Sequence, residues 1–258
     1  VKAEGFEIIT GEFKNEALLS LEYNLKYEPC LILRFKYKNE VFLPNDKKQV
    51  SVQLTKEGEK FVFRKIERDF EWEKNAVAQL KDIGLEEKRG YFAPSGIEIL
   101  EKENALYFLV NWINSNKPAL REKGFKIEQG SLEKKFFTGK QQLDVQAKSK
   151  DDWFDVYATV HFGEFKIPFI KLKNHILNGV REFELPNGEI AVLPEEWFAR
   201  YRSLLPFAER KGEKMKFKKH HYNLLSNVLK PGEKEVIEKL IQPGKEIKKE
   251  PPPDNLKA

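Results

Sequence analysis

The densest run of side chains able to do chemistry lies at residues 210–221, RKGEKMKFKKHH. Lys214, Lys216 and Lys218 alternate there with Met215 and Phe217. On a strand, a period of two sets a row of ammonium groups against an apolar face. Lys219, His220 and His221 extend the basic run. Ammonium groups in a row suit phosphate contact, because each neutralised phosphate releases bound counterions. A solvated edge strand guarded by lysines against pairing with another chain has the same signature. Both readings stand at this level. The candidate nucleic-acid-binding residues are Lys214, Lys216, Lys218, Lys219 and His220.

The other titratable groups point to less. His161 follows Asp151, Asp152 and Asp155, which invites a metal reading. Asp155 and His161 share the polar side of a strand but lie roughly 20 Å apart along it, so no metal site is expected. His220 and His221 are adjacent, so their rings are expected to point apart at the surface. Cys30 is the single cysteine, which rules out a disulfide within the chain and a cysteine-based zinc site. A thiolate nucleophile needs an activating base, and none is legible, so Cys30 reads as a packed side chain. Glu195 and Glu196 follow Pro194, where a helix N-terminus accounts for them. The chain contains no G-x-x-x-x-G-K-[ST], G-x-G-x-x-G, H-E-x-x-H or G-x-S-x-G. No catalytic residue, cofactor or metal is assigned to it. Aromatics able to stack bases are not separable here from aromatics of a core.

The elements that position the lysines are best written at residues 151–194. From Trp153 to Phe162, Trp153, Asp155, Tyr157, Thr159 and His161 point one way, and Phe154, Val156, Ala158, Val160 and Phe162 the other. Gly163 and Glu164 break the strand, and residues 165–169 return as a hairpin that Pro168 confines to an edge or an end. A short helix is predicted at 171–177, stopped by Asn178-Gly179. Residues 181–185 and 189–193 form a second hairpin across Pro186-Asn187-Gly188. A helix follows from Pro194 to about Leu204, burying Trp197, Phe198, Tyr201 and Leu205. Residues 206–213 read as loop or one more turn, and 221–228 as a short helix.

Upstream, residues 1–66 read as an antiparallel meander: strands at Phe6, Ile8 and Ile9; at Leu19, Leu21, Tyr23 and Leu25; at Leu31, Leu33, Phe35 and Tyr37; at 41–43; and at Val50, Val52 and Leu54, with a turn at Gly58 into 61–63. The period then changes. Residues 71–83 place Trp72, Ala76, Val77, Leu80 and Ile83 at helical spacing, and 103–117 do so with Leu106, Leu109, Val110 and Ile113. Pro118 ends that helix or starts another. Residues 125–129 and 143–147 read as strands, and 132–141 are ambiguous.

The 258 residues allow one or two domains, with 40% apolar residues to fill a core. Net charge is +5, but the signs are mixed, which permits nucleic-acid binding without requiring it. No apolar run approaches the roughly 18 residues of a membrane span. No signal peptide is visible, and the lone cysteine suits a reducing cytoplasm. The chain begins at Val1 rather than Met, and three consecutive prolines sit near its end. It is expected to be a piece of something longer.

One resemblance covers most of the chain. The text WFDVYATVHFGEFKIPFIKL, then NGVREFELPNGEIAVLPEEWFARY, then KFKKHHYNLL resembles the accessory region that precedes the motor in bacterial Swi/Snf-type helicase-like ATPases. The helical pieces around Trp72 and Leu106 look like that region too. The resemblance implies a parent protein that uses ATP and Mg²⁺ to translocate on double-stranded DNA or to remodel protein bound to it. Its motor would begin beyond Ala258, so no catalytic residue of the family carries onto this chain. The expected fold is α+β: a β-rich lobe at 1–66, a helical and mixed connection at 67–147, a Swi/Snf-associated α+β domain of hairpins and short helices at 148–230, and a flexible linker at 231–258. The expected partners are the chain's own ATPase motor and double-stranded DNA, with no membrane, in the cytoplasm at the nucleoid. The rival expectation is a protein-interaction module without nucleic-acid binding. A third, an enzyme of unrecognised type, requires a concave pocket with convergent titratable groups.

Overall fold

The structure, a computed structural model, describes residues 6–10, 15–57, 60–130, 132–150 and 152–228. Nine strands and two helices come first: β1 (Phe6–Thr10), β2 (Asn15–Tyr23), β3 (Pro29–Tyr37), β4 (Glu40–Phe42), β5 (Val50–Glu57), β6 (Lys60–Glu67), α1 (Phe70–Asp82), β7 (Leu85–Lys88), β8 (Tyr91–Pro94), α2 (Lys102–Glu122) and β9 (Phe125–Gln129). Then come β10 (Gln141–Lys150), β11 (Trp153–Phe162), β12 (Phe165–Pro168), α3 (Lys173–Asn178), β13 (Glu182–Glu184), β14 (Ile190–Val192), α4 (Glu195–Tyr201), β15 (Glu209–Lys211), β16 (Lys214–Lys218) and α5 (Tyr222–Val228). The fold is α+β, as expected, with several small, mainly antiparallel sheets and short helices. The turn expected at Gly58 and the linker expected at 231–258 lie outside the described residues.

The described residues divide into two compact units, 6–140 with 184–192, and 141–183 with 193–228. The boundary expected at 66 falls inside the first unit. Arg68 explains why: its guanidinium donates to the carbonyls of Leu43, Asp46 and Lys48 and to both carboxylate oxygens of Glu73 in α1. The boundary expected at 147 falls inside β10, which pairs with β11 along its whole length.

In the first unit the sheet order is β7-β8-β3-β2-β9, with β4 against β3. Leu19, Leu21, Leu31, Leu33 and Phe35 are fully buried in the same core as Leu80 of α1 and Leu109, Val110 and Ile113 of α2. Burying each such side chain contributes about 1.5–3 kcal/mol before chain entropy is counted. The N-terminal strands are not one continuous meander. β5 and β6 form a separate sheet in which β1 runs parallel to β6. Leu25 does not continue β2; it is 101% exposed. Asn24 ends the strand by accepting the N–H groups of Lys26 and Glu28 on its side-chain oxygen, a local turn that competes with the ladder. Pro118 neither ends nor starts a helix but sits inside α2. It removes only one intrahelical donor there, and the buried apolar stripe through Leu120 carries the helix past it. The hairpin of β7 and β8 has no strong alternation and was not legible in advance.

In the second unit the order is β10-β11-β16-β15, with β12 also against β11. The predicted alternation of β11 holds: Phe154, Val156, Ala158, Val160 and Phe162 are buried. Met215 and Phe217 of β16 are buried as well. Phe169, at 2% exposure, meets Trp197 and Tyr201 of α4 edge to face, with centroids 5.8 and 4.9 Å away. The helix expected at 171–177 is a 3-10 turn followed by α3, closed by Gly179 at φ +74. β12 ends at Pro168, as a residue without an N–H requires. Among the described residues no helix is long and apolar enough to cross a membrane.

Candidate nucleic-acid interface

In an antiparallel pair, directly opposed residues lie on the same face of the sheet. The register of the second unit therefore fixes which polar groups meet. On β11 the polar phase is Trp153, Asp155, Tyr157, Thr159 and His161. Opposite Asp155 and Tyr157 stand Lys148 and Gln146 of β10. On the other side of β11, Lys218 faces Trp153 and Lys216 faces Asp155. Glu209 and Lys211 of β15 oppose Lys216 and Lys214, and Lys166 of β12 opposes His161. Lysine thus recurs on every strand of this face except β11.

The predicted strand with a lysine face is present, but it is not an edge. β16 lies between β11 and β15, which pairs with it from Lys214 to Lys216, so the reading of Lys214 and Lys216 as guards of a sheet edge is corrected; the pairing with β15 stops short of Lys218. The three lysines also differ in occupation. Lys214 donates to a carboxylate oxygen of Asp155, and that pairing holds its ammonium above the ordinary lysine pKa, against desolvation. Its Nζ lies 5.6 Å from the ring centroid of Tyr157. Lys216 and Lys218 place their Nζ atoms 4.5 and 5.6 Å from the ring centroid of Trp153. Neither has a carboxylate within ion-pair distance among the described residues. A cation held over an indole is a favourable contact that leaves its charge uncompensated.

Lys219 and His220 do not join the row. The backbone turns into a 3-10 helix at residues 219–221, and the N–H of Lys219 donates to the carbonyl of Asp152 at 2.9 Å. The two histidine rings meet instead of pointing apart. Their centroids are 4.1 Å apart, and His221 also lies 4.7 Å from Phe207. Neighbouring side chains of a 3-10 turn diverge by about a third of a circle rather than the half circle of a strand, so rotamers can close the gap. Desolvation, then His220 and Lys218, hold the His221 imidazole below its ordinary pKa.

Sequence reasoning missed the aromatics of this face. Trp153 is half-buried and Tyr157 is 39% exposed. The signal was present: both occupy the polar phase of an otherwise regular alternation. The remaining candidates resolve simply. His161 Nε2 is 3.0 Å from a carboxylate oxygen of Asp144, a pair across β10 and β11. Among the described residues no group of three or more His, Cys, Asp or Glu is placed to hold a metal ion. Cys30 is buried, and burial, with Glu22 and Glu28 nearby, pushes its thiol up to about 12. It is no nucleophile at neutral pH.

The first unit has a cleft of about 570 Å³ lined by Lys117, Gln129, Lys135, Thr138 and Glu189, among others. Its polar groups hold one another. Lys117 donates to the carbonyl and hydroxyl of Thr138, Gln129 bonds both backbone groups of Phe136, and Lys135 pairs with Glu189 at 2.8 Å. Desolvation and Arg121 hold Lys117 below the ordinary lysine pKa. Among the described residues no nucleophile–base–orienter arrangement is built there. Comparison of the chain with protein-family models, curated proteins and solved structures finds no match.

Proposed function

We propose that the chain is a non-catalytic, DNA-contacting N-terminal region of a Swi/Snf-type ATP-dependent translocase, regulating or docking on that protein's motor. Phosphates lie along Lys148, Lys216 and Lys218 on the open polar face of the second unit. ATP and Mg²⁺ belong to the motor, whose substrate is double-stranded DNA, and the protein acts at the nucleoid in the cytoplasm. Support for the family comes from the sequence alone, from the text of residues 153–225 and the helical pieces around Trp72 and Leu106. Support for DNA contact comes chiefly from one observation: Lys216 and Lys218 flank Trp153 on an interior strand, with no carboxylate partner among the described residues.

The test is binding of labelled DNA across a salt series. Three phosphate contacts predict a slope of log affinity against log salt of about −2.7 on duplex, a roughly 40-fold loss between 50 and 200 mM salt. Replacing Lys216 and Lys218 with alanine reduces the slope to about −0.9. Absent or salt-insensitive binding would remove the phosphate role.

A second reading, capture of a protein partner, has its own observation in the first unit. Val52, Leu54 and Phe61 are 58%, 54% and 40% exposed. Register sets Leu54 opposite Phe63 and Lys56 opposite Phe61, so these residues share one face of β5 and β6. Apolar side chains grouped on a sheet face mark interaction surfaces. Leu54→Lys abolishes partner capture on this reading and leaves DNA binding unchanged.

A further inference from the structure

We infer that the polar face of β10, β11, β16 and β15 prefers unpaired nucleic acid, with bases stacked on Trp153 and Tyr157. The inference rests on the reading of that face as a phosphate-contacting surface and adds the class of strand it takes.

Three features of the face carry it. First, Trp153 and Tyr157 lie in one column on β11, four residues and roughly 13 Å apart. The Asp155–Lys214 ion pair fills the position between them. Second, cations stand on both sides of that column. Lys148 is on β10 and Lys216 and Lys218 are on β16, each about one strand spacing, ~4.8 Å, from β11. Third, cations lie next to both rings: Lys216 and Lys218 beside Trp153, and Lys214 beside Tyr157.

A duplex uses only half of this arrangement. It presents phosphates to lysines, but its base faces are already stacked, so Trp153 and Tyr157 would find no partner in it. An unpaired strand presents both. Its backbone carries the charge for Lys148, Lys216 and Lys218, and its free base faces match aromatic platforms, a tolerant contact because every base has one. Alternate residues on β16 repeat at roughly 6.7 Å, a step commensurate with successive phosphates of an extended strand. Stacking itself does not select between bases; Gln146, directly opposite Tyr157, is an amide placed to meet a base edge beside that ring.

The experiment compares a labelled oligothymidylate with a hairpin duplex of equal phosphate number, by fluorescence anisotropy on the whole chain. The expected result is tighter binding of the single strand, weakened about 10- to 100-fold by Trp153→Ala while duplex binding is unchanged. Trp153→Phe keeps a stacking ring and retains affinity within about threefold. That variant also loses the quenching of tryptophan emission by the oligonucleotide, a readout that survives if Trp153→Ala fails to fold. Equal affinity for the two probes, with no effect of position 153, overturns the inference while leaving the salt-dependent phosphate reading in place. No binding of either probe overturns both.

Discussion

Replacing Asp155 with asparagine removes a charge that the proposed interface carries against itself. Asp155 is 9% exposed and pairs with Lys214 beneath the lysine row. One of its carboxylate oxygens, Oδ1, is buried without a hydrogen-bond partner. In the folded protein this carboxylate is a built-in counterion: Lys214 is already neutralised, so a phosphate arriving there releases nothing. Asp155→Asn keeps the shape and the reach toward Lys214 and deletes the charge. The Lys214 ammonium loses the partner that raises its pKa and returns toward the ordinary lysine value, where it is still protonated at pH 7. One more cation then faces the strand. The salt slope steepens by about 0.7 on a single strand or about 0.9 on a duplex. Over the fourfold range from 200 to 50 mM salt this adds roughly threefold to the gain in affinity. A phosphate seated about 7 Å from the former carboxylate also escapes a repulsion of roughly 0.6 kcal/mol at the dielectric of water. The assay is anisotropy at 50, 100 and 200 mM salt, with circular dichroism to show that the sheet is intact. An unchanged slope in a folded variant would refute the reasoning, because it would mean that no phosphate passes over Lys214.

Two further predictions concern the frame of the first unit. Glu73→Ala leaves the guanidinium of Arg68, whose side chain is 0% exposed, buried without its anion, and strips the hydroxyl of Tyr37 of its 2.7 Å acceptor. Removing one partner of a buried pair costs about 3–5 kcal/mol. Urea unfolding checks this, and a loss under about 1 kcal/mol would show that the network does not hold the loop at Leu43, Asp46 and Lys48 to α1. Cys30 sets a pH dependence at the alkaline side. Its folded thiol sits at about 12, against about 8.5 in an unfolded chain. An acid with a raised folded pKa favours the protonated native state, so this contribution is complete below about pH 8.5 and is lost as pH rises toward 12. The loss approaches ~1.4 kcal/mol per pH unit. Urea midpoints between pH 8 and 10.5 fall less steeply in Cys30→Ala, and a parallel decline in both proteins would contradict the assignment.

The parts of the fold that could be read in advance are those whose neighbours lie close in sequence. β11 and the helix at Trp72 declare themselves through strict periods, and Met215 and Phe217 alternate clearly enough to place β16. β15 does not, because Glu209, Arg210 and Lys211 are all exposed and carry no apolar alternation. That short strand decides the meaning of the site. Without it, β16 is an edge and its lysines have a structural task, preventing association with another chain. With it, β16 is interior, its ladder groups at Lys214 and Lys216 face β15, and no free edge remains there to guard. Lys214, Lys216 and Lys218 recur every second residue on one face, close enough to repel through water at low salt. Asp155 pairs with Lys214; Lys216 and Lys218 lie over the indole of Trp153 and make no ion pair among the described residues, although Asp155 and Glu209 stand opposite Lys216 in the ladder. β15 and β16 are neighbours in sequence, but β11, which pairs with β16, lies some fifty residues before them, and no local period encodes that pairing. On the proposed reading, a phosphate backbone is the counterion for this row, its spacing matching alternate lysines and its bases the flanking aromatics.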